Sequence, residues 1–324
     1  EGKLLMVRGN TMTIGELYVM GVQTEDQMGN PTTDQTKYQK RLTWSNNWLN
    51  EYCLSVPQEM WVERDGVKIH GYFLLPQRKD LSSLGGEEKA PGVLDIHGGP
   101  GGFYSHDFWF EFQMMAARGF AAIYCDPRGS AGYGPEFASG KYSWGQESMD
   151  DLMSFTDAVI ETGAVAPDKL GVTGGSYGGH MTNRIIGTST RFKAAVSQRN
   201  LCNLATSYGT GDQGFIWSEE GTESQMNNFI ERVKKSPIKN IDSMKTPLLI
   251  LHGEKDYRCS LEQAEQLFIA MKERNPEIPV RMVIFPGENH GLTRDGRLFS
   301  QIGHLKEMIT WFELYVKAEK EVES

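Results

Sequence analysis

A serine becomes a nucleophile only when its surroundings free and activate its hydroxyl, and the stretch Gly174-Gly175-Ser176-Tyr177-Gly178 has the residues for that. It follows the pattern G-x-S-x-G, in which the serine stands on a sharp turn from strand to helix, a nucleophile elbow. Lys169 to Thr173 before it reads as a short buried strand, bounded by Pro167-Asp168, and Met181 to Ile186 after it reads as a helix start. Such a turn leaves no room for side chains beside the serine, and glycines at 174 and 178 remove the clash. The spacing fits neither G-x-G-x-x-G nor the P-loop pattern, so a phosphate-binding loop is set aside.

A serine hydroxyl needs a general base, and the base needs a carboxylate to orient it. In the α/β-hydrolase order of elements the acid and then the histidine follow the serine. Asp242, Glu254, Asp256 and Glu288 compete for the acid. Asp256 is favoured because it lies a few residues past the strand Pro247 to Leu251, which leaves its loop room to curl. Among the later histidines, His180 falls on the elbow helix, His252 directly follows a strand and His304 lies in the last helix. His290, in the loop Gly287-Glu288-Asn289-His290-Gly291, is the one able to aim its imidazole.

Upstream, a strand ending at Ile96 runs into His97-Gly98-Gly99-Pro100-Gly101-Gly102. Such a loop donates one hydrogen bond to a developing oxyanion, and the backbone N–H after the nucleophile, here Tyr177, donates the other. Cys259 sits beside the favoured acid and reads as an ordinary thiol.

These residues must be held by an alternating strand–helix chain. From Pro91 onward, strands are expected at Gly92 to Ile96, Ala121 to Cys125, Leu170 to Thr173, Ala194 to Ser197, Pro247 to Leu251 and Val280 to Phe285. Helices are expected at Phe108 to Arg118, Ser148 to Thr162, Met181 to Gly187, Leu261 to Arg274 and His304 to Lys317. That alternation predicts a mostly parallel, doubly wound sheet with its site beyond the carboxyl ends of the strands. Before it, Met60 to Arg64 and Val67 to Leu75 read as a hairpin turning at Asp65-Gly66. Lys3 to Arg8 and Glu16 to Val22 read as further strands, and Thr24 to Lys40 as a polar loop.

The 324 residues, 39% hydrophobic and 23% charged, are enough for a large core, and their balance argues against disorder. A net charge of -9 without a basic block argues against a nucleic-acid partner. No apolar run reaches the roughly 18 residues of a membrane span. Cys53, Cys125, Cys202 and Cys259 have neither metal nor disulfide spacing, which favours reduced thiols and a cytoplasmic location.

The chain resembles the prolyl oligopeptidase family of serine peptidases, most of all its acylaminoacyl-peptidase branch. The resemblance is carried by Asp95-Ile96-His97-Gly98-Gly99-Pro100, Asp126-Pro127-Arg128-Gly129-Ser130-Ala131-Gly132-Tyr133-Gly134, the elbow itself, Pro247 to Gly253, and Asp256-Tyr257-Arg258. It implies an α/β-hydrolase domain over 56–324, preceded by a remnant of the last β-propeller blade and a linker over 1–55. It implies Asp256 as the acid, Gly99 as the second oxyanion donor, Arg128 as a structural residue, and Arg258 as a donor to a substrate carbonyl. It also implies a hydrophobic pocket built from Tyr177 and the segment with Tyr208, Phe215, Ile216 and Trp217. The expected reaction is hydrolysis of short peptides through an acyl-enzyme, acylaminoacyl- or dipeptidyl-peptidase-like, with no metal or organic cofactor. The alternatives are a carboxylesterase with the same triad and a non-catalytic binding module. The expected partners are peptide substrates, a missing amino-terminal propeller of the same protein and, as an open option, further copies of the chain. Ser260, where most relatives carry proline, is expected to cap the following helix.

Overall fold

The computed structural model of the chain describes residues 3–21, 39–77, 89–139, 142, 144–213 and 229–317. Its first part is a three-stranded antiparallel sheet of β1 (Lys3–Asn10), β2 (Thr13–Gly21) and β3 (Gln39–Arg41). β1 forms one edge and leaves Leu4, Leu5 and Val7 exposed. Most of the predicted loop from Thr24 to Lys40 falls outside the described residues, and its last two residues belong to β3. The linker that follows is pinned to the larger body at Ser55. Its N–H donates to Gln113 Oε1 at 2.9 Å and its carbonyl accepts from Gln113 Nε2 at 2.8 Å.

The larger body begins with the predicted hairpin, β4 (Gln58–Arg64) and β5 (Val67–Leu74). Asp65 and Gly66 both take positive φ, 53° and 74°, the two-residue turn whose twist suits a hairpin. Strand and helix then alternate: β6 (Ala90–Ile96), α1 (Phe110–Ala117), β7 (Ala121–Asp126), α2 (Gln146–Glu161), β8 (Val165–Gly175), α3 (Tyr177–Ile186) and β9 (Ala194–Gln198). After α4 (Leu204–Thr210) and α5 (Phe229–Lys235) come β10 (Leu248–Gly253), α6 (Leu261–Arg274) and β11 (Val280–Phe285). The described chain closes with α7 (Leu292–Asp295), α8 (Leu298–Phe312) and a π-helical turn over Glu313–Lys317.

Eight strands form one sheet in the order β4-β5-β7-β6-β8-β9-β10-β11, antiparallel at the hairpin edge and parallel from β7 onward. This is the α/β-hydrolase fold. Because a strand alternates its side chains between faces, Leu248 and Ile250 enter one core cluster while Leu249 and Leu251 enter the other. The same holds for Ile123 against Ala122 and Tyr124. One cluster is closed by α2, α3 and α6, the other by α1 and α8. Strands covered on both faces therefore read as continuous apolar runs rather than alternating ones. Each fully buried Leu, Ile or Phe there contributes about 1.5–3 kcal/mol.

The last helix starts earlier than the predicted His304. Glu288 accepts from Arg297 Nε at 2.6 Å and Ser300 Oγ at 2.7 Å, and this tertiary contact fixes the first turn of α8. α4 was not expected; Asn203 caps it, its Oδ1 accepting from the N–H groups of Ala205 and Thr206. Ser260 does stand at the N-cap of α6, but it makes no capping bond, and its hydroxyl donates to Thr210 Oγ1 at 2.8 Å instead.

Candidate active site

β8 delivers Ser176 to the top of the sheet, and α3 carries the chain away. The serine adopts φ 62° and ψ -120°, a conformation that non-glycine residues rarely hold. Its N–H is shared between the carbonyls of Gln198 at 3.0 Å and Arg199 at 3.1 Å, which clamps the strained residue against the end of β9. The flanking glycines have the expected reason. A Cβ at Gly174 would lie 2.6 Å from the Ile96 carbonyl oxygen, and one at Gly178 would land on the same oxygen. Tyr177 is the first residue of α3, where backbone N–H groups have no partner within the helix.

The loop after β10 turns Asp256 inward until its carboxyl is buried. Oδ1 accepts from the backbone N–H groups of Arg258 at 3.0 Å and Cys259 at 2.9 Å, and Oδ2 accepts from His290 Nδ1 at 2.8 Å. The competing acids are all engaged elsewhere. Glu254 takes the Gly287 N–H, Asp242 pairs with Arg274, and Glu288 anchors α8. His252 also approaches Asp256, at 3.5 Å, but it is fully buried and its Nε2 donates to the Cys259 carbonyl at 2.7 Å. His290 keeps 17% of its side chain exposed and lines the same cleft as Ser176. His180 is buried beneath the elbow, edge-on to Trp144.

That cleft has a volume of about 460 Å³ and is walled on one side by the loop His97 to Gly102. Gly98 packs closely enough that a Cβ there would lie 3.5 Å from the Ser176 Cβ, and Gly99 sits at φ 136°. Burial holds the His97 imidazole down to about 4, so it is neutral at pH 7. Arg128 does not enter the cleft: it grips Asp151 with Nε at 2.8 Å and Nη2 at 2.7 Å, as its structural role requires. Cys259 places its sulfur 3.9 Å from Ser176 Oγ, and burial pushes its thiol well up, so it stays protonated.

Among the substrate-side residues, Arg258 lines the cleft while its Nε donates to Asp212 Oδ1 at 2.6 Å. Tyr208 lies on α4 with its ring covered by the Arg232 guanidinium at 3.7 Å, and it is not among the described residues that line the cleft. The pair forms because the ring is half-exposed and an α5 cation lies within reach. Phe215, Ile216 and Trp217 lie outside the described residues.

Four charged cleft residues were not singled out by reading the sequence: Asp95, Glu111, Arg199 and Arg294. Desolvation raises Asp95 to about 6 and Glu111 to about 8, while Tyr104 donates to Asp95 Oδ1 at 2.5 Å. The available signals were a lone acid in the aromatic run Phe108-Trp109-Phe110-Glu111-Phe112 and an arginine directly after a buried strand. Among the described residues, no cluster of three or more His, Cys, Asp or Glu side chains has metal-binding geometry. No described helix is long and apolar enough to cross a membrane.

Comparison with known proteins agrees with the fold. Residues 106–319 match the prolyl oligopeptidase family, and the chain belongs to that family of serine peptidases. It is 41% identical over 283 residues to the uncharacterized peptidase YuxL of Bacillus subtilis, covering 86% of this chain and 42% of that protein. It is 32% identical to dipeptidyl aminopeptidase BIII of Pseudoxanthomonas mexicana over 71% of this chain and 34% of the relative. The acylaminoacyl peptidase of Pyrococcus horikoshii superposes with a TM-score of 0.86 at 26% identity, covering all of this chain and 50% of that one. The chain thus spans half or less of the length of these proteins.

Proposed function

We propose that this chain is the catalytic part of a serine peptidase that hydrolyses short peptides through an acyl-enzyme. The observation that carries the reading is the 2.8 Å bond from His290 to buried Asp256, in a cleft shared with a serine held at φ 62°. Ser176 Oγ attacks the scissile carbonyl while His290 Nε2 accepts its proton; Asp256 holds the tautomer that leaves Nε2 free. The carbonyl oxygen, now negative, is held by the N–H groups of Tyr177 and Gly99. His290 then returns the proton to the leaving amine, and water repeats the sequence to release the acyl group. No metal or organic cofactor enters these steps.

Arg258, a fixed cationic donor, binds a carbonyl on the acyl side, sharing itself between substrate and Asp212. Phe215 and Trp217 belong to the acyl-side pocket on this reading. The specificity is acylaminoacyl-peptidase-like or dipeptidyl-peptidase-like, in line with relatives bearing those names. Residues 1–55 are a remnant of the last propeller blade and its linker on this reading, which accounts for the exposed apolar edge of β1. Turnover of an acyl-aminoacyl anilide, a dipeptidyl anilide and a p-nitrophenyl ester tests this: cleavage of at least one anilide is expected. Cleavage of the ester alone would make the protein a carboxylesterase.

A further inference from the structure

We propose that Arg199 is a positioning residue of this site, its guanidinium tying the serine elbow to α7, the short helix that follows His290, with Asp95 as its counter-charge. The inference rests on the hydrolytic reading above. Arg199 sits immediately after β9 at φ 35°, in the left-handed region where an arginine is out of place. Its main chain is held on two sides: its N–H donates to the Leu251 carbonyl at 2.7 Å, and its carbonyl accepts from Ser176 at 3.1 Å. The backbone strain is therefore maintained by the elbow and by β10.

The side chain then folds back over the elbow. A Cβ on Gly175 would lie 2.6 Å from Arg199 Cζ, so the guanidinium rests against the main chain of the residue before the nucleophile. From there Nη1 donates to Thr293 Oγ1 at 3.2 Å, three residues beyond His290. One rigid plane thus touches both the strand end that presents the nucleophile and the short helix that directly follows the base. A cation so enclosed needs negative partners. Asp95 from the end of β6 lines the same cleft, and its attraction to Arg199 opposes the rise that burial gives its carboxyl, whereas burial and the neighbouring Asp95 keep Glu111, in the first turn of α1, protonated at neutral pH. Arg199 Nε is buried without a hydrogen-bond partner among the described residues, and Arg294, which lines the same cleft, repels the guanidinium, so its place depends on the contacts with Gly175, Thr293 and Asp95.

A lysine cannot replace this geometry, because a point ammonium cannot lie flat on Gly175 and also reach Thr293. The test compares kcat and KM on an anilide for the wild type, Arg199→Lys, Thr293→Val and the double variant, with folding checked by near-UV circular dichroism. Arg199→Lys is expected to lower kcat on the order of 100-fold with KM nearly unchanged, the cost of a small misplacement of reacting groups. Thr293→Val is expected to cost a few-fold, and the double variant to match Arg199→Lys, because the two act through one contact. Wild-type kcat in folded Arg199→Lys, a change confined to KM, or additive losses in the double variant would overturn the inference while the hydrolytic reading stood. A wild type with neither turnover nor fluorophosphonate labelling would overturn both.

Discussion

On one side of the cleft Ser176 and Asp256 are fixed by buried main-chain hydrogen bonds, whereas on the other Arg258 is held by an ion pair with Asp212 whose side chains are 38% and 45% exposed. The two kinds of support differ in strength. A hydrogen bond to a buried charged group is worth about 1.5–3 kcal/mol, and an exposed ion pair about 0.2–1 kcal/mol. On the proposed mechanism, the difference teaches that the reacting groups are preset while the group expected to grasp the peptide is free to change partners. Chemistry and recognition are built at different stiffness within one cleft.

Four substitutions break or sharpen that contrast. Ser176→Ala removes the nucleophile and is expected to lower kcat by on the order of a million-fold with folding intact, read from anilide turnover. Asp256→Asn keeps an oxygen for the Arg258 and Cys259 N–H groups but turns an amide toward His290, imposing the wrong tautomer. A loss in kcat of about 10⁴ with unchanged melting temperature is expected. On the softer side, Asp212→Asn frees Arg258 without touching the reacting groups. A change of a few-fold in KM, with kcat constant and the effect shrinking in high salt, is expected. A large loss in kcat would show that Arg258 is part of the preset machinery after all.

The smallest effect concerns pH. Desolvation raises Glu111 to about 8 and Asp95 to about 6, above the values near 4 of an unfolded chain. The folded protein therefore holds these protons more tightly, and the stability they contribute is complete below about pH 4 and lost as pH rises towards 8. Glu111→Gln cannot ionise. Its melting temperature is expected to fall less between pH 6 and 8 than that of the wild type, and parallel curves would contradict the assignment.

The stiff side was the legible one. G-x-S-x-G between a strand and a helix, and acid and base candidates past the next strand ends, bring Ser176, Asp256 and His290 forward as candidates because each depends on local turn chemistry. Sequence spacing left Glu254 and Glu288 as rivals to Asp256, since only tertiary contacts commit one to Gly287 and the other to Arg297 and Ser300. Arg199 and Glu111 were hidden for a related reason. Their meaning lies in contacts with Gly175 and Thr293 and in burial against Asp95, which arise between elements far apart in the chain. The surroundings of Tyr208 were not legible either, because an aromatic residue in a connecting segment carries no mark of which way it faces; here its ring meets Arg232.

The central claim is that Ser176 is made nucleophilic by His290 and Asp256, and a fluorophosphonate probe reads it most directly. Incubation of the purified protein with the probe, followed by peptide mass spectrometry, should place one adduct on Ser176 and lose it in His290→Ala. A folded wild type that acquires no adduct, or a His290→Ala variant labelled as fast as the wild type, would contradict the account.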